Sequence, residues 1–363
     1  MNFNRRNFNT ALVGTLATLS PGVSGGQSMS ASSALYEGES ELYQQALKEG
    51  ALVSSNTGPG WANWGAVFRA FDARYPGVTL MYNDVGSGAA VKALEVNRQS
   101  PLSDTAYFFG ASGIEAQQRG LLDVFRPVGS ERVPVLGKHA GGEWIAVHQL
   151  EIVFIVNKKL VKTTPRSWAE LLHPNFANSV VYLDPRSAGV GQVLVWAANF
   201  ASGGSYDNLS PGLDYIARLH KAGQVLRVVP TTPYAQFLRN EVPIWVNFVN
   251  DGLRAKYRDR MGDAVDIVSP AEGALSALYT MGLVKGAAHP QAGRLWLNFV
   301  LSDIGQRLFA EGYVSPITAN LQLSAEVKQR AIAHANLSIL DIARAAGASK
   351  ALEQGWAKAT SAT

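Results

Sequence analysis

The sequence predicts an α/β fold in two lobes, each built on a mainly parallel sheet, and three observations carry that expectation. Short apolar strands alternate with amphipathic helices across brief loops, the pattern of parallel strands covered by helices on both faces. Of the 363 residues, about 330 would remain after removal of an amino-terminal leader, more than one hydrophobic core usually supports. The composition, 47% apolar and 17% charged, is that of an ordinary globular chain, with no repeat and no low-complexity run beyond the Ser/Gly-rich stretch 24–34.

Residues 1–34 read as an export signal, because a short basic start precedes an apolar stretch too brief to span a bilayer. Asn4-Arg5-Arg6-Asn7-Phe8 resembles the twin-arginine export pattern, with Thr10 to Ala17 as its apolar region; a general-secretion leader with two chance arginines is the alternative. Small residues from Ala31 to Ala34 suit a signal peptidase, and either leader implies export, with the periplasm the expected location. Cysteine is absent, which removes disulfides, thiolate metal sites and a lipid-carrying cysteine. No later segment holds eighteen consecutive apolar residues, so no membrane span is expected. Loss of Arg5 and Arg6 leaves 30 of the 32 basic residues against 28 acidic ones, a near balance that argues against nucleic acid as a partner.

In the mature chain Leu42, Tyr43, Ala46 and Leu47 share a helical face that ends at Gly50, and Leu52 to Ser55 follows as a first strand. Trp64, Val67, Phe68 and Phe71 mark a second helix, stopped by Pro76 ahead of a strand at Val78 to Tyr82. The pattern repeats: Asp84 to Gly88 leads into a helix carrying Val91, Leu94 and Val96, and a strand at Thr105 to Phe109 exits through Gly110 to Gly113 into another helix. Ile152 to Val156, apolar throughout, is the candidate strand crossing into a second lobe. There Ser167 to Pro174 reads as a short capped helix, Val180 to Leu183 as a strand leaving through Asp184 to Gly189, and Pro243 to Val246 as a strand leaving through Asn247 to Asp251. The return is expected near Ser269 to Ser276, then an apolar strand at Thr280 to Val284. Lys285 to Ala292 stops that strand and presets a helix with Leu295, Trp296, Phe299 and Val300 on its stripe, interrupted at Ser302 to Gln306. Residues 325–360 read as terminal helices.

The run from Tyr279 to Pro316 resembles a segment shared by the solute-binding proteins of ABC importers. In these a Lys-Gly-Ala turn, here Lys285-Gly286-Ala287, a His-Pro-x-Ala start at His289 to Ala292, and a Leu-Ser-x-x-Gly-Gln helix at Leu301 to Gln306 occur in that order. Trp168 to Pro174 and Asp184 to Gly189 likewise resemble the Trp-x-x-Leu-Leu-x-Pro helix and the Asp-Pro-x-Ser-x-Gly loop that open the second lobe of such proteins. The resemblance points to the branch of ferric-iron, phosphonate and polyamine receptors and implies the type 2 periplasmic binding protein fold: two α/β lobes joined by two crossing segments, with ligand between them. With the export signal at 1–34, the expected division is lobe 1 at 35–150 and 273–322, lobe 2 at 151–272 and C-terminal helices at 323–363. A cleft in that position agrees with the rule that open α/β sheets bind ligands beyond the carboxyl ends of their strands.

The loops after the strands are poor in bulky charge and rich in small residues: Thr57 and Gly58, Ser87 and Gly88, Ala111 and Ser112, and Ser187. Each precedes a helix, so unpaired N–H groups and partial positive charge would point into the cleft and favour an oxyanion. The competing role is helix capping by Ser and Thr and chain turning by Gly. Arg186 is the candidate for a bidentate fork on an acidic group, or else a surface arginine beside a proline. Asn247 and Asp251 lie in an opposing loop; Asp84 and Asp251 could receive an amine or cap helices. Trp61 and Phe248 lie on or beside loops where they could stack on a ligand, whereas Trp64 falls on the core stripe.

No catalytic residue is expected, since Gly86-Ser87-Gly88 lacks the wider nucleophile-elbow pattern. Neither a cofactor nor a metal site is expected. The six histidines are scattered, and where ferric receptors carry an adjacent tyrosine pair this chain has Asn247-Phe248-Val249. The functional expectation is a monomeric receptor that captures a small anionic organic solute, a phosphate ester, phosphonate or carboxylate, and delivers it to an inner-membrane ABC permease. The alternatives are a polyamine or ferric-iron receptor of the same fold, a ligand-sensing partner of a membrane kinase, and, from another class, a secreted hydrolase.

Overall fold

A computed structural model describes residues 34–334 and 336–361, so the expected export signal lies outside the described residues except for Ala34. The chain opens with α1 (Glu39–Glu49), which Gly50 ends in the left-handed conformation at φ 72°. It continues through β1 (Ala51–Ser55), α2 (Trp64–Arg74), β2 (Thr79–Tyr82), α3 (Ser87–Val96), β3 (Thr105–Phe109), α4 (Gly110–Gln118) and the short β4 (Leu122–Asp123). The 13-residue β5 (Ile145–Asn157) leads to β6 (Val180–Leu183), α5 (Gly189–Ala201), α6 (Ser210–Lys221), β7 (Val225–Val229), α7 (Tyr234–Leu238), β8 (Ile244–Phe248), α8 (Val249–Leu253) and β9 (Val265–Val268). β10 (Leu275–Val284) then runs back, followed by α9 (Pro290–Leu301), α10 (Asp303–Glu311), β11 (Ser315–Pro316), α11 (Ala325–Arg330), β12 (Ser338–Ile339) and α12 (Ile342–Ser361).

The strand order β2-β1-β3-β10-β5-β8-β6-β7 divides into two halves that meet on β10 and β5. β2-β1-β3 on one flank and β8-β6-β7 on the other pair in parallel, as the strand–helix alternation predicts. The middle is antiparallel, because β5 leaves the first half and β10 returns to it in the opposite direction. The sheet is therefore mixed, with parallel pairing confined mainly to the flanks.

Three local expectations change. Ser167 to Pro174 is not one helix but two 3-10 turns, Glu170–Leu172 and Pro174–Phe176, since Pro174 has no N–H to continue the first and His173 caps the second by accepting from the Asn175 N–H at 3.2 Å. Asn247 and Phe248 are still strand, the last two residues of β8, and the expected exit loop is the helical α8. Between α11 and α12 no described residue is helical, and Ser338 and Ile339 pair with Leu275 and Ser276 of β10.

Aromatic packing fills the first half. Trp64, fully buried, meets Phe309 and Tyr107 edge-on at 5.1 Å, and Trp296 meets Phe71 edge-on at 5.0 Å. Ser302 caps α10 by accepting from the Gly305 N–H. The buried Gln306 amide donates to Val147 O at 2.8 Å and accepts from the Ile317 N–H at 2.9 Å, so it ties α10 to β5 and to the returning chain.

In the second half α5 is pressed onto the end of β6. A Cβ on Gly191 would lie 2.3 Å from Leu183 O and 2.7 Å from the Pro185 nitrogen, both backbone atoms that cannot rotate away. Gly191→Ala is therefore expected to lower the unfolding free energy by about 1–3 kcal/mol, measured as a lower urea midpoint.

Candidate ligand-binding site

A cavity of about 650 Å³ lies where the amino-terminal ends of α3, α4 and α5 converge, with α12 along one side. Six residues anticipated from the sequence come together there: Ser87 and Gly88 from α3, Ala111 and Ser112 from α4, and Arg186 and Ser187 from the loop into α5. Each helix leaves its first N–H groups without a helical partner and presents roughly half a positive charge at its start. The lining side chains add little net charge, since Arg186 pairs with Asp184 at 2.5 Å and Glu115 with Arg119 at 2.7 Å. Hydrogen bonds from Arg186 hold the Asp184 carboxyl below its usual range, and the guanidinium also stacks 4.9 Å from the Trp356 ring.

The loops are held by a residue the sequence did not single out. Asn56, buried and at φ 63°, accepts from the Gly86 N–H at 2.7 Å and donates to Tyr107 O at 2.8 Å and to Ser87 Oγ at 3.3 Å. Its own N–H goes to Asn83 Oδ1 at 2.8 Å. One amide thus joins the ends of β1 and β3 to the start of α3. Ser87 extends the junction by accepting from the Phe109 N–H at 2.9 Å. Ser187 is used within its own turn, where its N–H donates to Asp184 O and its hydroxyl reaches the same carbonyl and that of Pro230.

Tyr279 also lines the cavity and rests on a buried aromatic layer. It stacks on His148 at 4.9 Å and on Tyr107 at 5.4 Å. The Trp61 indole N–H donates to the Tyr107 oxygen at 3.0 Å, which leaves the tyrosine proton for His148 Nε2 at 2.6 Å. That direction requires a neutral imidazole, and burial drives the His148 pKa down to about 3.

The other anticipated residues stand behind this layer or beside it, not on the cavity surface. Thr57 is buried and donates to Ser54 O at 3.1 Å. Gly58 is covered by Asp84, whose carboxylate lies 2.1 Å from where a Cβ would stand. Trp61 packs 5.8 Å from Tyr279 on one side and Phe248 6.3 Å from it on another. Asn247 and Asp251 are buried together, the Asn247 amide donating to Asp251 at 2.7 Å. Phe109, Gln192 and the first turns of α12 line the cavity without having been marked by the sequence.

Two halves joined by crossing strands, with a solute-sized cavity at converging helix starts, define a binding protein that encloses a small molecule. The chain belongs to the family of bacterial extracellular solute-binding proteins, whose pattern it matches over residues 107–346. It is 30% identical over 250 residues, 66% of this chain and 70% of the relative, to a Salmonella paratyphi A protein that bears the provisional name 2-aminoethylphosphonate-binding periplasmic protein. AfuA from Actinobacillus pleuropneumoniae, solved with exogenous fructose-6-phosphate bound, has a TM-score of 0.70 at 22% identity, covering 86% of this chain and 98% of that one. Iron-bound HitA from Pseudomonas aeruginosa has a TM-score of 0.69 at 18% identity, covering 84% and 98%. The fold is that of the type 2 periplasmic binding proteins, and the chain is a periplasmic solute-binding protein. No helix among the described residues is long and apolar enough to cross a membrane, and no three His, Cys, Asp or Glu side chains among them gather as around a metal ion.

Asn56→Ala leaves the Gly86 N–H and the Tyr107 carbonyl without their partner, so a loss of about 1–3 kcal/mol is expected in urea unfolding, together with weaker ligand binding by titration. Asp251 gives a pH signature. Burial raises its pKa to about 6 from an ordinary 3.8, so the fold favours the neutral acid. Its contribution is complete below about pH 4 and is lost as pH rises through 6, a difference of up to about 3 kcal/mol. Asp251→Asn is expected to flatten that part of the stability–pH curve measured by denaturant midpoints.

Proposed function

We propose that the protein is the non-catalytic, monomeric receptor of an ABC importer and carries a small organic anion, with a phosphonate or phosphate ester as the favoured cargo and a carboxylate next. The lobes that close on it are 35–150 with 273–322 on one side and 151–272 on the other, and the crossing strands β5 and β10 act as the hinge. A twin-arginine leader and delivery to an inner-membrane permease belong to the same reading.

The observation that carries it is the convergence of three helix amino termini, two from the first half and one from the second, on one cavity whose side-chain charges are already paired. Each terminus contributes about 0.3–1 kcal/mol to an anion, and each hydrogen bond to a charged acceptor about 1.5–3 kcal/mol. An oxyanion touching both halves therefore gains donors from each only when they close, which couples capture to closure. The name of the Salmonella relative agrees with a phosphonate.

Thermal shift with methylphosphonate, 2-aminoethylphosphonate, inorganic phosphate and spermidine tests this. A bound solute at 100 times its dissociation constant adds about 2.7 kcal/mol. A phosphonate is expected to raise the melting temperature of the natural protein, and Ser112→Asp, which sets a carboxylate among the donors, should abolish that rise while the unliganded protein still unfolds cooperatively. Stabilisation by spermidine with none by any anion would overturn the reading.

A further inference from the structure

α12 is fastened to both halves of the molecule. At its start the Asp341 carboxylate accepts from the N–H groups of Ala343 and Arg344, each at 3.1 Å, and Ile342 packs over Gly110 at the head of α4. Further along, Glu353 accepts from the Gln192 amide at 3.0 Å, and the Trp356 indole N–H donates to the Tyr182 hydroxyl at 3.1 Å. Between these anchorages Ala343, Ala346 and Gly347, spaced for one helical face, line the cavity.

The two glycines of this helix differ. A Cβ on Gly355 would stand 2.4 Å from a Leu213 methyl, so a side chain there would have to displace Leu213. A Cβ on Gly347 would meet nothing within 4 Å, and its backbone is helical. Glycine inside a helix costs stability relative to alanine. Close packing does not call for it at 347. What it leaves is open space at a residue that lines the cavity.

We propose that α12 is the specificity wall of the ligand cavity, and that the room at Gly347, beside Ala343 and Ala346, receives the organic body of an anion whose head lies at the helix starts. This rests on the anion-receptor reading and adds to it the class of cargo: an oxyanion carrying a polar chain rather than a bare one. The cavity supports this, since about 650 Å³ falls in the range of sites for organic ligands. Gln192 and Ser349 beside the wall give their protons to Pro185 O and Glu353, which leaves their oxygens as acceptors for a polar chain.

Calorimetric titration of methylphosphonate, 2-aminoethylphosphonate and 4-aminobutylphosphonate into the natural protein, Gly347→Ala and Gly347→Leu tests the wall. Gly347→Leu is expected to weaken the longest ligand by at least about tenfold while methylphosphonate stays within about twofold. Gly347→Ala should fall between and melt higher than the natural protein in the absence of ligand, which keeps the test valid should the leucine variant fold poorly. Equal losses along the series, or no loss for the longest member, would overturn the wall and leave the receptor reading standing. Failure of the natural protein to bind any of the three would overturn both.

Discussion

The pairing of β5 with β10 is the constraint on which the rest of the molecule depends. The two strands run antiparallel through the middle of the sheet, and every flanking strand takes its position from one or the other. β3 pairs with β10 and β8 with β5, so the carboxyl ends of the parallel flanks are delivered to the same region. The helix starts follow the strand ends. The register of this pair also shifts between Tyr279 and Thr280, a bulge of the kind that re-aims a side chain, and Tyr279 is the residue of β10 that reaches the cavity. A slip in this pairing would displace the stacked His148 and Tyr279 and separate the helix starts that meet at the cavity.

The site combines a stiff base with lightly built walls. Beneath it lies a layer of rings whose hydrogen bonds run in one direction, Trp61 donating to Tyr107 and Tyr107 donating to His148. Such a layer is costly to disturb, because an unpaired buried polar group loses its hydration with nothing in return. Above it the walls are mostly backbone, glycine, alanine and serine, with Phe109, Arg186 and Gln192 among the larger side chains. Backbone donors held by the sheet need little reorganisation when an oxyanion arrives. Asn56 supplies the link between base and walls, since its one amide touches the Tyr107 carbonyl below and the α3 start above.

Much of the fold was legible because it depends on local patterns. The apolar stripe of Trp64, Val67, Phe68 and Phe71, the Leu301 to Gln306 signature and the strand–loop–helix order each act within a few residues, and each appears where expected. The site was legible only in part, because exposure of a loop residue is decided by partners far along the chain. Ser87, Gly88, Ala111, Ser112, Arg186 and Ser187 share the cavity. Thr57 instead turns inward to Ser54 O, and Asn247 pairs with Asp251 across the junction of β8 and α8, where no spacing in the sequence distinguishes a mutual pair from a ligand contact. Asn56 looked like any turn asparagine; its importance lies in contacts 30 and 51 residues away. The strand at Ser338–Ile339 is not legible in the sequence, since it pairs for only two residues with a strand over sixty positions earlier.

For the proposed anion receptor, the electrostatics bear on how the site tells one anion from another. A guanidinium free in the cavity would attract any anion through a long-range field that salt screens. Here Arg186 is engaged by Asp184 on one side and by the Trp356 ring on another, so its field at the rim is largely offset by a carboxylate 2.5 Å away. What remains is the short-range field of three helix starts, which acts within a turn and demands that an oxyanion sit close to the N–H groups. An anion that reaches those groups must also fit its remaining atoms between Tyr279 and α12. Charge is therefore read at contact distance together with shape, and a diffuse or bulky anion that cannot approach the helix starts gains little from them.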